Sequence, residues 1–194
     1  MGTTMLAGGY KVDIAVGALP QKVATYGMEV LNDLVGAKYE PVAYLGSQVV
    51  NGINHAILTV QTLVTASPVK SLRVVVLNEK PSSETKSDFT IVTIGSPLLT
   101  YASPGMTGGY AEPEDFAKTA PEAAALWSKC RQPIGKTYDT KCVLGTQVVA
   151  GTNYAILAES KVVAPGAVAE ASILYLWSKL DGTVELNDIA DIDF

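Results

Sequence analysis

The sequence predicts an α+β fold made of two tandem units, each an antiparallel β-sheet of four to five strands wrapped around one α-helix. Three observations lead there. The chain repeats itself: residues 45–64 read LGSQVVNGINHAILTVQTLV and residues 144–163 read LGTQVVAGTNYAILAESKVV, with 11 of 20 positions identical at an offset of 99. Each copy opens with one stretch of helical periodicity and continues with runs rich in Val, Ile, Leu and Thr, separated by turn-forming residues. A single helix followed by antiparallel strands buries its apolar stripe by having the sheet wrap over it.

In the first copy, residues 20–35 (PQKVATYGMEVLNDLV) set Val23, Tyr26, Gly27, Val30, Leu31 and Leu34 at helical spacing, with Pro20 suited to the first turn. Strands are expected at 40–50, 53–65, 71–78 and 89–95, broken by Ala66-Ser67-Pro68 and Pro81-Ser82-Ser83. The second copy repeats the order. A short helix runs from Pro121 to Arg131 with Leu126 and Trp127 on it and Pro133 beyond it, then strands at 137–146, 152–163, 170–179 and 183–190. Asp181-Gly182 suits a two-residue hairpin turn. Residues 96–107, SPLLTYASPGMT, have the Ser, Pro and Gly content of a connector, so the units are expected at 1–95 and 108–194.

Charge and rare residues narrow the function. The formal charge of −5 and pI near 4.9 lack the basic footprint of a nucleic-acid binder and disfavour an anionic membrane surface. No uninterrupted apolar run spans a bilayer. With one histidine, His55, and two cysteines, Cys130 and Cys142, no His/Cys set supplies a structural zinc site. No nucleophile–base pair and no phosphate loop stand out, so no enzyme and no cofactor is expected. The acidic residues Glu185, Asp188, Asp191 and Asp193 do not have calcium-loop spacing. Cys130 and Cys142 leave a local bridge and two buried thiols both open. The opening MGTTMLAGGY does not read as a secretory signal, which leaves the compartment open.

The segment Gln48, Val49, Val50, Asn51, Gly52 and its copy Gln147, Val148, Val149, Ala150, Gly151 fall between two expected strands, where the glycine suits a tight turn of positive φ. QVVAGTNY at 147–154 resembles the first hairpin loop of the cystatins, the inhibitors of papain-like cysteine proteases, and of their stefin branch in particular. A methionine ahead of a Gly-Gly pair adds to the resemblance: Met5 before Gly8-Gly9, and Met106 before Gly108-Gly109. The resemblance implies a wedge inhibitor whose glycine-containing trunk and two hairpin loops enter a protease cleft without chemistry. Carried over, the trunk is Gly8-Gly9 or Gly108-Gly109, the first loop is 48–52 or 147–151, and the second loop of the second copy holds Trp177 and Leu180.

Departures from the pattern separate the copies. Neither has the Pro-Trp pair of secreted cystatins. The first has a long polar stretch, 78–88, expected to be a solvated loop, and Asn51 in place of Ala150. The trunk of the second is internal, tethered to the first unit. The expectation is therefore an inhibitor with the second unit as the stronger head, its partner a papain-like cysteine protease. The alternative is a binding or scaffold module without inhibition.

Overall fold

The computed structural model describes residues 9–103 and 108–194. Strands dominate it. In chain order they are β1 (Lys11–Val16), β2 (Ala37–Val50), β3 (Gly52–Leu63), β4 (Lys70–Glu79), β5 (Phe89–Ile94), β6 (Leu99–Thr100), β7 (Lys136–Val149), β8 (Gly151–Val162), β9 (Ala169–Ser178) and β10 (Val184–Asp191). The first six form one antiparallel sheet in the order β1-β2-β3-β4-β5, with β6 also paired to β4, and the last four form a second in the order β10-β9-β8-β7. Two short helices complete the set: α1 (Met28–Asn32), of 5 residues, and α2 (Ala120–Lys129), of 10.

This overturns the α+β expectation of two units each built as a sheet around its own helix. The chain is mostly β, and its largest core lies between the two sheets. Val42, Leu45, Leu58, Val60, Leu72, Val74 and Val76 of the first sheet share that core with Cys142, Leu144, Leu157, Ala171 and Ile173 of the second. The reason can be read in the strands. Ala56 to Val60 and Val74 to Leu77 are buried without a break, as are Ala155 to Ala158 and Ala171 to Leu174. A strand covered on one side alternates apolar and polar residues, whereas a strand covered on both sides reads as a continuous apolar run.

The helices occupy the outer faces. The helix expected over 20–35 is found over 21–32 as one continuous helical stretch, a π turn at Val23–Gly27 leading into α1. A β-carbon on Gly27 would come within 2.9 Å of Leu77 Cδ1, so glycine lets this turn lie close on the sheet. Asn32 ends it, donating to Met28 O at 3.1 Å and accepting from Tyr39 N at 2.8 Å. On the other face of the molecule, α2 buries Ala123, Leu126 and Trp127 against Val143, Ile156, Leu174 and Leu176.

Sequence reading missed β1, which runs along β2 from Lys11 opposite Ser47 to Val16 opposite Ala43. The stretch read as a connector contributes β6, and the next residue, Tyr101, is buried and donates its hydroxyl to Leu144 O at 2.8 Å, tying one sheet to the other. Residues 104–107 of that stretch, with Met106, lie outside the described residues, as do Met5 and Gly8. Cys130 and Cys142 are both buried free thiols. They belong to different cores, Cys130 under α2 and Cys142 between the sheets. Burial pushes the Cys142 thiol up to about 12.

Candidate functional site

Both copies of the repeated motif form the tip of a two-stranded hairpin. In the second copy β7 and β8 pair down to Val149 opposite Gly151, leaving Ala150 at the apex. Gly151 has a φ of +113°, and a β-carbon there would stand 2.3 Å from Ser178 O. Glycine is thus required by backbone angle and by the approach of β9 together. Thr152 pairs with Ser178, which brings the end of β9 beside the hairpin tip.

The turn from β9 to β10 is closed at its base by Lys179 N donating to Thr183 O at 2.8 Å. Asp181 accepts from Thr183 Oγ1 at 2.7 Å and Thr183 N at 2.9 Å, and these bonds hold its carboxyl below the ordinary range. Trp177 braces the two turns to each other: its indole N–H donates to Ala150 O at 3.1 Å, and Lys179 Nζ lies 5.0 Å over its ring. A strand-end aromatic thereby serves as a crosslink between tips.

The glycine segment joins the same rim. Gln147 Nε2 donates to Gly108 O at 2.6 Å while its Oε1 accepts from Asn153 Nδ2 at 2.9 Å. Gly109 packs on Ala102, where a β-carbon would meet backbone at 2.8 Å, and the chain then joins β7 through Ala111 opposite Thr146. Segment 108–109, the 147–151 hairpin and the 177–182 turn therefore form one row. Its outermost side chains are Val148 and Leu180, 88% and 86% exposed.

The first copy has the same hairpin and a different neighbour. Val50 pairs with Gly52 around Asn51, and Gly52 has a φ of +105° with Glu79 O 2.2 Å from where its β-carbon would be. Val49 is 61% exposed. Asn54 Nδ2 donates to Gln48 Oε1 at 3.0 Å, repeating the Asn153–Gln147 pair, and Asn54 Oδ1 accepts from Asn78 Nδ2 at 2.8 Å. Gly9 is exposed just ahead of β1.

The stretch 78–88, expected as a solvated loop, is exposed over 80–82, 84–85 and 87 and is anchored to the protein between them. Ser83 is 2% exposed and donates to Glu79 Oε1, and its carbonyl accepts from Lys22 Nζ at 2.6 Å. Asp88 accepts from the amides of Glu84 and Thr85 at 3.1 and 3.0 Å, and Lys86 pairs with Asp33. Beneath the loop, His55 Nε2 lies 3.0 Å from Glu79 Oε2 and Nδ1 lies 2.9 Å from the Tyr44 hydroxyl. Burial pushes the imidazole pKa below its ordinary value, with the Glu79 bond opposing. The neutral ring donates from Nε2 to the carboxylate and accepts at Nδ1 from Tyr44. Burial alone would raise Glu79, but its bonds from Ser83 and His55 hold it below the usual range. His55 is thus a structural tie among β2, β3, β4 and the loop.

Sequence reasoning did not single out Asn54, Asn153 or the bracing role of Trp177. The asparagines were recoverable, since each lies six residues beyond the motif glutamine in both copies. Among the described residues no group of three or more His, Cys, Asp or Glu side chains is arranged to hold a metal ion. No protein-family model matches this chain, and no curated protein matches it.

Proposed function

We propose that the row made by 108–109, 147–151 and 177–182 is a wedge that enters and occludes the active-site cleft of a papain-like cysteine protease. The observation that carries this reading is the union of three chain segments into one exposed rim, through Gln147 on Gly108 and Trp177 on Ala150. The reading also draws on the likeness of QVVAG to an inhibitory hairpin, and it is independent of any helix-on-sheet architecture. Two turns held by glycine geometry and crosslinking hydrogen bonds lose little conformational freedom on docking, which favours affinity. Val148, Val149 and Leu180 would fill apolar subsites, and Gly151 would let the backbone approach closely. Such a wedge inhibits by excluding substrate.

Titration of papain with the intact chain tests it. The expected result is stoichiometric loss of activity at submicromolar protein, relieved by Val148→Asp; unchanged papain activity at micromolar protein would refute it. The alternative of a binding module without inhibition fits the first tip better, because Asn51 puts a polar side chain at the apex and the adjoining loop is folded back on Glu79.

A further inference from the structure

The opposite end of the second sheet carries an apolar protrusion that the wedge does not use. Residues 162–169, Val-Val-Ala-Pro-Gly-Ala-Val-Ala, run from the last residue of β8 to the first of β9 without a single polar side chain, and Val162 to Gly166 and Val168 are exposed. An exposed apolar run of that length has no folding role and calls for a functional one. Val163 N donates to Gly135 O at 2.9 Å, which sets the adjoining turn and its Ile134 beside the loop. Ile134 and Val163 are 102% and 69% exposed. A β-carbon on Gly135 or Gly166 would meet nothing within 4 Å, so both turns stand out from the surface as convex tips.

The copies agree on this feature. Val35, Val64 and Val69 lie 99 residues before Ile134, Val163 and Val168 and are also exposed, although Thr65 and Ser67 dilute that loop. Charge distinguishes the second copy further. Lys129 and Arg131 lead into the Ile134 turn and Lys161 borders the apolar loop, all three exposed. Among the described residues none of the three is in an ion pair, while Lys136 is held by Glu170 at 2.7 Å and Asp191 at 3.1 Å, which offsets one of those two negative charges and leaves three free cations against one uncompensated acid.

We propose that this end of the protein docks on an anionic lipid surface, with Ile134, Val163 and Val168 entering the headgroup region and Lys129, Arg131 and Lys161 facing the lipid phosphates and carboxylates. A rigid protein partner would need a cavity shaped to two projecting turns; a deformable interface accepts them as they are. The whole-chain charge of −5 opposes binding. Attraction to a membrane surface is nevertheless decided within a screening length of about 8 Å, so the exposed cations that flank the two apolar turns in sequence count for more than the distant acids. The 14 residues of β7 separate this end from the hairpin tip, on the order of 40 Å, so docking leaves the wedge free.

Co-sedimentation of the intact chain with phosphatidylserine–phosphatidylcholine vesicles, against vesicles of phosphatidylcholine alone, tests the proposal. The expected result is binding to the mixed vesicles that falls with salt, is abolished by joint Ile134→Ser and Val163→Ser, and weakens about fivefold for each of Lys129→Gln, Arg131→Gln and Lys161→Gln. Both apolar side chains are solvent-exposed, and an unchanged melting temperature verifies that the variant folds. Val148→Asp at the far tip is expected to bind vesicles normally and to lose papain inhibition, which separates the two proposals. Absence of vesicle binding at low salt overturns the membrane assignment. So does retention of binding in the Ile134/Val163 variant, or binding to polyglutamate without binding to vesicles, which would indicate an acidic protein partner.

Discussion

The two hairpin tips have nearly the same sequence and the same backbone, and they differ in what stands beside them. At the second, the neighbouring turn is short and open, and Trp177 bonds it to the apex at Ala150 while Leu180 points outward. At the first, the neighbouring segment is folded down onto a buried His55–Glu79 pair and offers polar residues to solvent. Duplication therefore supplied one hairpin twice, and its surroundings made one copy a projecting edge and the other a tied-down corner. A hairpin motif is thus only part of a site; the adjoining turn decides what it presents.

The largest expected effect comes from the apex glycines. Gly151→Val and Gly52→Val each force a β-branched residue to positive φ and into a carbonyl of the next strand, at 2.3 and 2.2 Å respectively. Strain of this kind costs about 1–3 kcal/mol, and the clash adds to it. Denaturant unfolding is expected to show similar losses for both variants, while papain inhibition collapses only for Gly151→Val. Equal loss of inhibition at the two sites would make the first tip a second head and erase the contrast drawn between them.

Acid is expected to act on the first unit before the second. His55 has a pKa lowered from 6.5 and Glu79 one lowered from 4.5, so the unfolded chain binds more protons than the folded one once pH falls into those ranges. The stability each contributes is present above its unfolded value and is lost as pH falls through its folded value. Hydrogen exchange followed downward from neutral pH is expected to show the 79–88 segment opening first below 6.5 and further below 4.5, with the Lys179–Thr183 turn unchanged over the same range. His55→Phe is expected to remove the upper step.

A smaller effect is expected at Trp177. Trp177→Phe keeps an aromatic ring and deletes the indole bond to Ala150, worth about 0.5–1.5 kcal/mol, so inhibition is expected to weaken roughly two- to tenfold with a fall of about 1–5 °C in melting temperature. Smallest of all is the response of the thiols. With Cys142 buried and held near 12, and Cys130 also buried, neither is expected to react with a thiol reagent in the folded chain, while both react on unfolding.

The repeat, the hairpins and most strand positions were legible in the sequence because they depend on local signals: a 99-residue offset, β-branched runs, and glycine at the turns. The α+β expectation is overturned by a signal that the sequence itself carries. Runs such as Ala155-Ile156-Leu157-Ala158 and Val74-Val75-Val76-Leu77 are too continuous for sheets with one covered face, and they announce the sheet-to-sheet core. The helix expected over 20–35 is present over 21–32, with a π turn inside it, and ends three residues early because periodicity does not register the stop made by Asn32 accepting from Tyr39 N. In the candidate site, the tip valines and glycines were legible. The braces were not, because Trp177 to Ala150 and Gln147 to Gly108 join residues far apart in sequence. The folding of 78–88 was hidden for the same reason: its anchors, Lys22 and His55, come from other elements.

The central claim is that the second tip, and not the first, blocks a protease cleft. Titrating papain with the intact chain carrying Val148→Asp, and separately Val49→Asp, tests it most directly. These are the same hairpin position in the two copies, 88% and 61% exposed, so neither change disturbs a core. The expected result is at least a tenfold loss of inhibition for Val148→Asp, as for a buried interface anchor, and none for Val49→Asp. Full inhibition by Val148→Asp, or no inhibition by the unaltered chain, would contradict the claim.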